Sequence, residues 1–573
     1  MTPHDLLANF VLLAEAPNGI QRLRELVLEL AVRGKLVEQD SRDEPAAELL
    51  GRIKAEKARL VMEGKIRSGR ALPSPPEACP FDIPSGWEPC RLAELGFFLG
   101  GKTPSTNVSA YWNGSIPWVS PKDMKVALIE DTEDHVSQLA IENGLPLIPK
   151  GSVLIVVRSG ILRRMVPVAI TVRDCTINQD LKALWPYPSV DPKYVALLIK
   201  GFESYILEHL TKTGTTVESL KFDEFATHRF PLPPLGEQAR ILARVDELMA
   251  LLDRLDAWRQ ECEAARTAAR DSTLAALGEA PTPGDVEAAW LRVQDRFHDL
   301  FAIPEDVESL RQTILQLAIR GRLVAQDPTD PSGASLLEEV EALRAKMAHI
   351  GKRRKALTNQ DAGERITPFQ TPASWTWARL GDILSECRNG LSTTPNDAGE
   401  GIKLLRISAA TSDPTWVVNT DDHRWVLASD DQVDQYQIRP GDLLSCRFNG
   451  NLRFVGKVAQ VPPIGEELIL YPDKLIRLRP ILVDPGFLCL AVNSVPCRAQ
   501  IEAFAATTAG NLGINGAQLQ SILVPIPPLP EQIRIRETAQ AMFIVCDRLV
   551  AQLRKLYGLQ GAFSAAAVHH LEA

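Results

Sequence analysis

The chain has 573 residues, 45% hydrophobic and 24% charged, with a net charge of −9 from 63 basic and 72 acidic side chains. That length allows about three to five domains, the composition excludes wholesale disorder, and no apolar run approaches the roughly 18 residues of a membrane span. The acidic total argues against a surface coated in positive charge but leaves room for a local basic face.

In chain order, the first 19 residues (MTPHDLLANFVLLAEAPNG) have no basic start and carry acids on both sides of a short apolar stretch, so they do not read as a signal peptide. Nine cysteines without a CxxC pair fit a reducing cytoplasm better than a disulfide framework or a Cys-rich zinc site. Residues 1–80 are expected to form a helical region. Residues 81–235 are rich in Pro, Gly, Trp and Thr, with β-like runs at 152–157 (SVLIVV) and 168–172 (VAITV) and a helical piece over 193–211. They predict an α+β domain that ends at Pro233-Pro234.

A helical spacer over 236–371 follows. Its first helix has apolar or small residues at Ile241, Val245, Leu248, Leu252, Leu255 and Cys262, with Arg259 the one charged position of that heptad register. A second heptad runs through Leu336, Val340, Leu343, Met347 and Ile350, with a weaker counterpart near Leu49 and Ile53. Residues 372–530 predict a second α+β domain, with a strand at 475–478 (LIRL). The C-terminal helical region, 531–573, repeats the register at Ile535, Ala539, Met542, Cys546, Leu549, Leu553 and Leu556. Glu237 and Glu531 stand in the first turns of their helices, where a carboxylate suits the positive helix end.

The two halves are copies. LRELVLELAVRGKLVEQD (23–40) matches LRQTILQLAIRGRLVAQD (310–327) at 11 of 18 positions with an offset of 287. PSGWEPCRLAEL (84–95) matches PASWTWARLGDI (372–383) at 288, and PLPPLGEQARI (231–241) matches PIPPLPEQIRI (525–535) at 294. The interiors of the two mixed domains match much less. The expected fold is therefore α+β, with two mixed α/β domains separated by long antiparallel coiled-coil helix pairs. Region 1–80 should pair with 531–573 to rebuild what 236–371 holds covalently, giving a pseudo-two-fold molecule with its termini close.

Several stretches together resemble the specificity subunit of Type I restriction–modification enzymes. They are GGKTPST (100–106), YWNGSIPWVSPKDM (111–124), GSVLIVVRSG (151–160), NQDLKAL (178–184) and GTTVESLKFDEF (214–225). In the second half they are WTWARLGDI (375–383), GDLLSCRFNG (441–450), DKLIRLRP (473–480) and VPIPPLPEQIRI (524–535). The resemblance covers essentially the whole chain; the second copy departs from it where the first has TPST…YWNG. It implies that the mixed domains are target-recognition domains, each reading one half of a split, asymmetric DNA site. It further implies that the paired helices set the distance between half-sites and dock two modification subunits, which carry S-adenosylmethionine and methylate adenine. Restriction subunits would add ATP-dependent cleavage, and this chain would hold no catalytic site and no cofactor. A first spacer helix over 236–268 would be roughly 50 Å long, or roughly 15 base pairs of B-DNA.

Base reading needs donors and acceptors, and phosphate binding needs Lys and Arg. The stretch 150–182 carries six cations (Lys150, Arg158, Arg163, Arg164, Arg173, Lys182) against Asp174 and Asp180. Arg158, Ser159, Arg163 and Arg164 surround Gly160, and Arg447, Asn449, Asn451 and Arg453 surround Gly450; both sets are candidate recognition loops. Lys102, Thr103, Ser105 and Thr106, with Ser392, Thr393 and Thr394, are candidate backbone contacts. Ser120, Lys122, Gln179 and Lys182 complete the DNA-binding set. Trp87, Trp118 and Trp375 read as packing residues, and His135, His228 and His423 have no metal-ligand spacing, so no metal is expected. GFFLGGKT (96–103) satisfies the phosphate-loop pattern, but Pro104 and a poor helix former follow it, which argues against nucleotide binding. No NPPY or DPPY tetrapeptide and no convincing PD…ExK set occur. A coiled-coil scaffold that never touches DNA would explain the heptads but not two large divergent domains.

Overall fold

The computed structural model describes residues 18–64, 66, 79–212, 217–350, 367–396, 399–412, 416–508 and 511–572. The flanks of the expected 1–80 region (1–17 and 67–78) and the stretch 351–366 of the expected spacer lie outside the described residues. Two compact units divide the chain: the described residues of Met1–Glu261 with those of Leu559–Ala573, and Cys262–Gly558. Each contains one mixed domain.

In the first unit, β1 (Glu88–Cys90) pairs antiparallel with β12 (Phe230–Leu232), so the two ends of the mixed domain lie side by side. Between them runs a five-stranded sheet in the order β2 (Gly96–Gly100), β9 (Leu181–Pro186), β6 (Val153–Val156), β7 (Val168–Thr171), β4 (Leu128–Ile129), with only the β4–β7 pair parallel. A second sheet sets β3 (Trp112–Val119) between antiparallel β5 (His135–Val136) and parallel β8 (Thr176–Ile177). A short hairpin joins β10 (Thr211–Lys212) and β11 (Ser219–Leu220). The run at 153–157 is apolar throughout because β6 is covered on both faces. Val153 and Ile155 pack with the helices, whereas Leu154 and Val156 pack with Val119, Ile148 and Leu181.

The helix expected over 193–211 is two, Pro192–Gly201 and Glu203–His209, broken at buried Phe202. Asp191 caps the first by accepting from the Lys193 amide, with Pro192 in its first turn. At its end, a Cβ on Gly201 would lie 2.7 Å from the Leu28 carbonyl, so glycine lets helix Gly19–Val32 pack close.

The second unit repeats this plan. There β13 (Thr376–Arg379) pairs with β24 (Leu523–Ile526). The main sheet runs β14 (Leu384–Asn389), β21 (Leu475–Pro480), β17 (Leu443–Cys446), β19 (Val458–Gln460). Beside it, β15 (Ile402–Leu405) lies between antiparallel β16 (His423–Val426) and parallel β20 (Ile469–Leu470). A further sheet has the order β18 (Phe448–Asn449), β23 (Asn511–Gly513), β22 (Ala506–Thr508). The interiors differ in chemistry. Arg477 is 2% exposed and pairs with Glu386 at 2.6 Å, while Arg479 pairs with Asp442 at 2.7 Å. Phe97, Ala183, Trp185 and Ser152 hold the corresponding positions of the first domain.

The helix Leu235–Glu279 has 45 residues, ~68 Å, and is longer than the 236–268 expected. Its stripe is buried at Ile241, Val245, Leu248 and Leu252 and loses cover near Arg259. It packs with helix Gly19–Val32, and Arg24 bonds Asp253 at 2.6 Å. The counterpart Leu529–Glu572 buries Ile535 through Leu553, exposes Leu556, and packs with helix Val307–Ile319, where Arg311 pairs with Asp547. In helix Gly333–Ile350, Leu336 and Val340 are buried and Met347 is exposed; the Ile350 side chain lies outside the described residues.

One joint occurs twice. The Trp87 indole donates to buried Glu237 at 2.9 Å, and Trp375 to buried Glu531 at 3.0 Å. The Gln238 amide side chain donates to the Pro233 carbonyl and Gln532 to Pro527, which uses carbonyls of the Pro-Pro pair ahead of each helix. Arg240 pairs with Asp43, and Arg534 with Asp330. Gly34 and Gly321 both sit at φ +68°, where a Cβ would lie 2.4 Å from Pro84 or Pro372. Burial pushes both glutamate pKa values up, and their indole donors oppose that shift.

Two predictions follow from this packing. Glu531→Ala strands the Trp375 indole and should cost about 1–3 kcal/mol, whereas Glu531→Gln keeps an acceptor and should cost less, both read by urea unfolding. His228 is buried against Tyr205 and Phe230, and burial, with His209 adding, pushes its pKa down to about 4. A folded pKa below the ordinary value of about 6.5 leaves its site fully stable above that value and progressively weaker as pH falls toward 4. Ile522 holds the equivalent place in the second domain, also buried. His228→Ile should therefore flatten the loss of urea midpoint between pH 7 and pH 5.

Candidate nucleic-acid interface

Sheet register brings three loops of the first domain to one edge. The end of β6 pairs with the start of β9 (Val156 opposite Leu181), and the end of β2 meets the same place (Gly100 opposite Lys182). The loop after β2 is pinned by a close approach: a Cβ on Gly101 would lie 1.9 Å from the Asn178 carbonyl. The Lys102 amide then donates to the Ile177 carbonyl at 2.9 Å. Thr103 donates to Gln179 at 2.5 Å. Lys102, Ser105 and Thr106 are exposed. After Thr103 the chain turns at Thr106–Asn107, where the Val108 amide donates to the Ser105 carbonyl, and then makes one 3-10 turn at Ser109–Tyr111, so the phosphate-loop pattern is not followed by a helix. Trp118 is buried, with its indole donating to the Lys102 carbonyl at 3.3 Å.

The loop after β6 carries Arg158 and Ser159 into a 3-10 turn, Gly160–Arg163. Arg158 is exposed and paired with Asp180 at 3.0 Å. Ser159 accepts the Ile161 amide as the turn's cap. Arg163 donates to Glu218 at 2.5 Å and holds that carboxyl below its ordinary pKa. Lys182 lies 5.4 Å over the Phe222 ring.

The structure thus gathers Lys102, Thr103, Arg158, Ser159, Arg163, Gln179 and Lys182. Others stand apart. Lys150 and Arg173 lie at the far ends of β6 and β7, so the six cations of 150–182 do not form one patch. Arg164 lines a cleft of about 840 Å³ with Lys200, Glu203, Tyr205, Arg22 and Phe81. Ser120 is buried, and its hydroxyl donates to Asp123 at 2.8 Å. Lys122 is held between Glu133 and Asp134 at 2.9 and 3.0 Å, which push its pKa up.

The second domain places its loops by the same bonds. A Cβ on Gly390 would lie 2.2 Å from the Pro472 carbonyl, and the Leu391 amide donates to the Tyr471 carbonyl at 2.9 Å. Ser392, Thr393 and Thr394 follow, all exposed. The amides of Val157 and Arg447 donate to the carbonyls of Asp180 and Lys474, each at 2.8 Å. Arg447 lies 4.6 Å over the Phe448 ring. The Asn449 side-chain oxygen accepts the Asn451 amide at 2.9 Å, and that of Asn451 accepts the Arg453 amide at 3.0 Å. Both asparagines therefore shape the turn through their side-chain oxygens. Arg453 is exposed.

Sequence reasoning passed over Glu218 and Arg498. Glu218 stands inside the quoted GTTVESLK stretch, and nothing in its local spacing points to Arg163. Arg498 sits where the first copy has Ser204, so the duplication gives no signal for it.

Residues 84–261 match the Type I restriction modification DNA specificity domain family. Over 566 residues the chain is 30% identical to the Type I restriction enzyme EcoEI specificity subunit of Escherichia coli, covering 94% of this chain and 91% of that one. It is 32% identical over 404 residues to the EcoAI specificity subunit of the same organism, covering 68% and 66%. Among solved structures, the HsdS subunit from Thermoanaerobacter tengcongensis aligns with 84% of this chain and 96% of its own, at 18% identity and a TM-score of 0.39.

Proposed function

This chain belongs to the specificity subunits of Type I restriction enzymes, and on that premise we propose how its parts divide the work. The chain is the non-catalytic DNA-recognition subunit of a Type I restriction–modification complex. The domain at 81–235 reads one half of a split, asymmetric site and the domain at 372–530 reads the other. The helical regions set the separation of the half-sites and dock two methyltransferase subunits, with restriction subunits joining them. Regions 1–80 and 531–573 close that helical framework as 236–371 does covalently. S-adenosylmethionine and ATP are held by the partner subunits, and the complex works in the cytoplasm.

The observation that carries this reading is one four-strand order, β2-β9-β6-β7 in the first domain and β14-β21-β17-β19 in the second, bearing two unlike sets of loops. At corresponding loop positions the domains carry Arg158 and Phe448, Asp180 and Lys474, and Lys102 is exposed where Leu391 is buried. One scaffold with two donor–acceptor sets suits two different half-sites, because base edges are told apart by such patterns.

Base-resolution mapping of methylated adenine, in cells with and without the chain and with its methyltransferase present, tests the reading. A split motif should vanish on deletion; an unchanged methylome would overturn it. Arg158→Ala should weaken discrimination at one half-site by about 1–3 kcal/mol and leave the other intact, with Arg453→Ala doing the reverse. Equal loss at both halves in a competition binding assay would contradict the division of labour.

A further inference from the structure

The two recognition loops are braced from behind by different residues. In the second domain, the chain between β17 and β19 forms the 3-10 turn Leu452–Phe454, with Asn451 and Arg453 exposed on it. Beneath it, Arg498 reaches up from helix Val495–Phe504. Its guanidinium donates to the carbonyls of Val455 at 2.5 Å, Leu452 at 3.2 Å and Arg453 at 3.5 Å, and to Glu502 at 3.3 Å. A fixed fork of donors suits several carbonyls at once. The Arg498 side chain is only 14% exposed, so its charge is spent inside the protein and not offered to phosphate. Gly456, at φ +70°, seats the turn on the same helix, since a Cβ there would lie 2.4 Å from Ile501.

In the first domain the polarity is reversed. The Glu218 carbonyl accepts the Ser159 amide at 3.1 Å, and its carboxylate accepts from Arg163. Glu203 accepts the Val166 amide at 2.6 Å just past the turn. Ser204 stands where the second copy has Arg498. The scaffold bonds at Gly101 and Gly390, and at the two Trp–Glu joints, are the same in both copies. The braces are not. They vary with the loops they hold, as parts of the reading surface would.

We propose that Arg498 and Glu218 are positioning residues for specificity. Arg498 fixes the backbone of one recognition turn and the Glu218 carboxylate fixes the Arg163 side chain of the other, and each tunes one half-site without touching DNA. This rests on the half-site reading above.

The test uses the assembled complex with its methyltransferase subunits, methylating a duplex library in which each half-site is varied separately. Arg498→Ala should lower discrimination at the second half-site on the order of tenfold to a hundredfold, with the first half-site and the amount of assembled complex unchanged. Arg498→Lys, one point charge in place of a fork, should fall between. Glu218→Ala should loosen the first half-site alone. Wild-type discrimination by both Arg498 variants, or equal loss at both half-sites, overturns the proposal. Should Arg498→Ala fail to assemble, Arg498→Lys decides: full wild-type selectivity overturns the brace, and loss confined to the second half supports it. A wild-type complex that methylates no split site would instead bring down the half-site reading itself.

Discussion

The structure depends on a buried indole–carboxylate bond made twice, Trp87 to Glu237 and Trp375 to Glu531. Each joins the first strand of a mixed domain to the first turn of the long helix that leaves it. A glutamine side chain from the first turn of each helix donates to a carbonyl of the Pro-Pro pair before it. A tryptophan fixed at one end and a glutamine at the other leave the helix little choice of direction. The left-handed glycine beside each tryptophan completes the joint, because any side chain there meets proline.

What is held constant and what is allowed to vary are physically separate. The joint, the closing strands and the glycines under the loops repeat. The sheet interior does not: one copy fills it with Phe97, Ala183 and Trp185, the other with an Arg477–Glu386 pair and its neighbours. A buried ion pair is often no more stabilising than apolar residues of similar volume. Two such different fillings under one strand order are what that near-equivalence allows.

Much of this was legible in the sequence, because duplication, heptad stripes and the apolar run at 153–157 are local or periodic signals. The strands at 168–171 and 475–480 and the burial of Ile241 through Leu252 follow from them directly. The rest depends on partners far away in the chain. Arg163 meets Glu218 across 55 residues and Arg477 meets Glu386 across 91. Lys122 reads as a free cation until Glu133 and Asp134 are folded against it, and Asn449 as a free amide until its oxygen takes the Asn451 amide. The helix expected to end near 268 runs to 279 because no proline interrupts it before Pro281 and its last turns bury Leu274 and Leu277. The break at Phe202 is tertiary: a large buried ring ends one helix and starts the next.

The pairing of β1 with β12, and of β13 with β24, makes each mixed domain a detour from the helical framework. The chain departs and returns on adjacent strands, about 4.8 Å apart. The framework therefore feels only a fixed gap between two neighbouring points, whatever the length of the excursion. Material could be lengthened, shortened or excised between those strands, and a two-residue turn would still span the gap. Geometrically, the whole mixed domain is interchangeable with a hairpin.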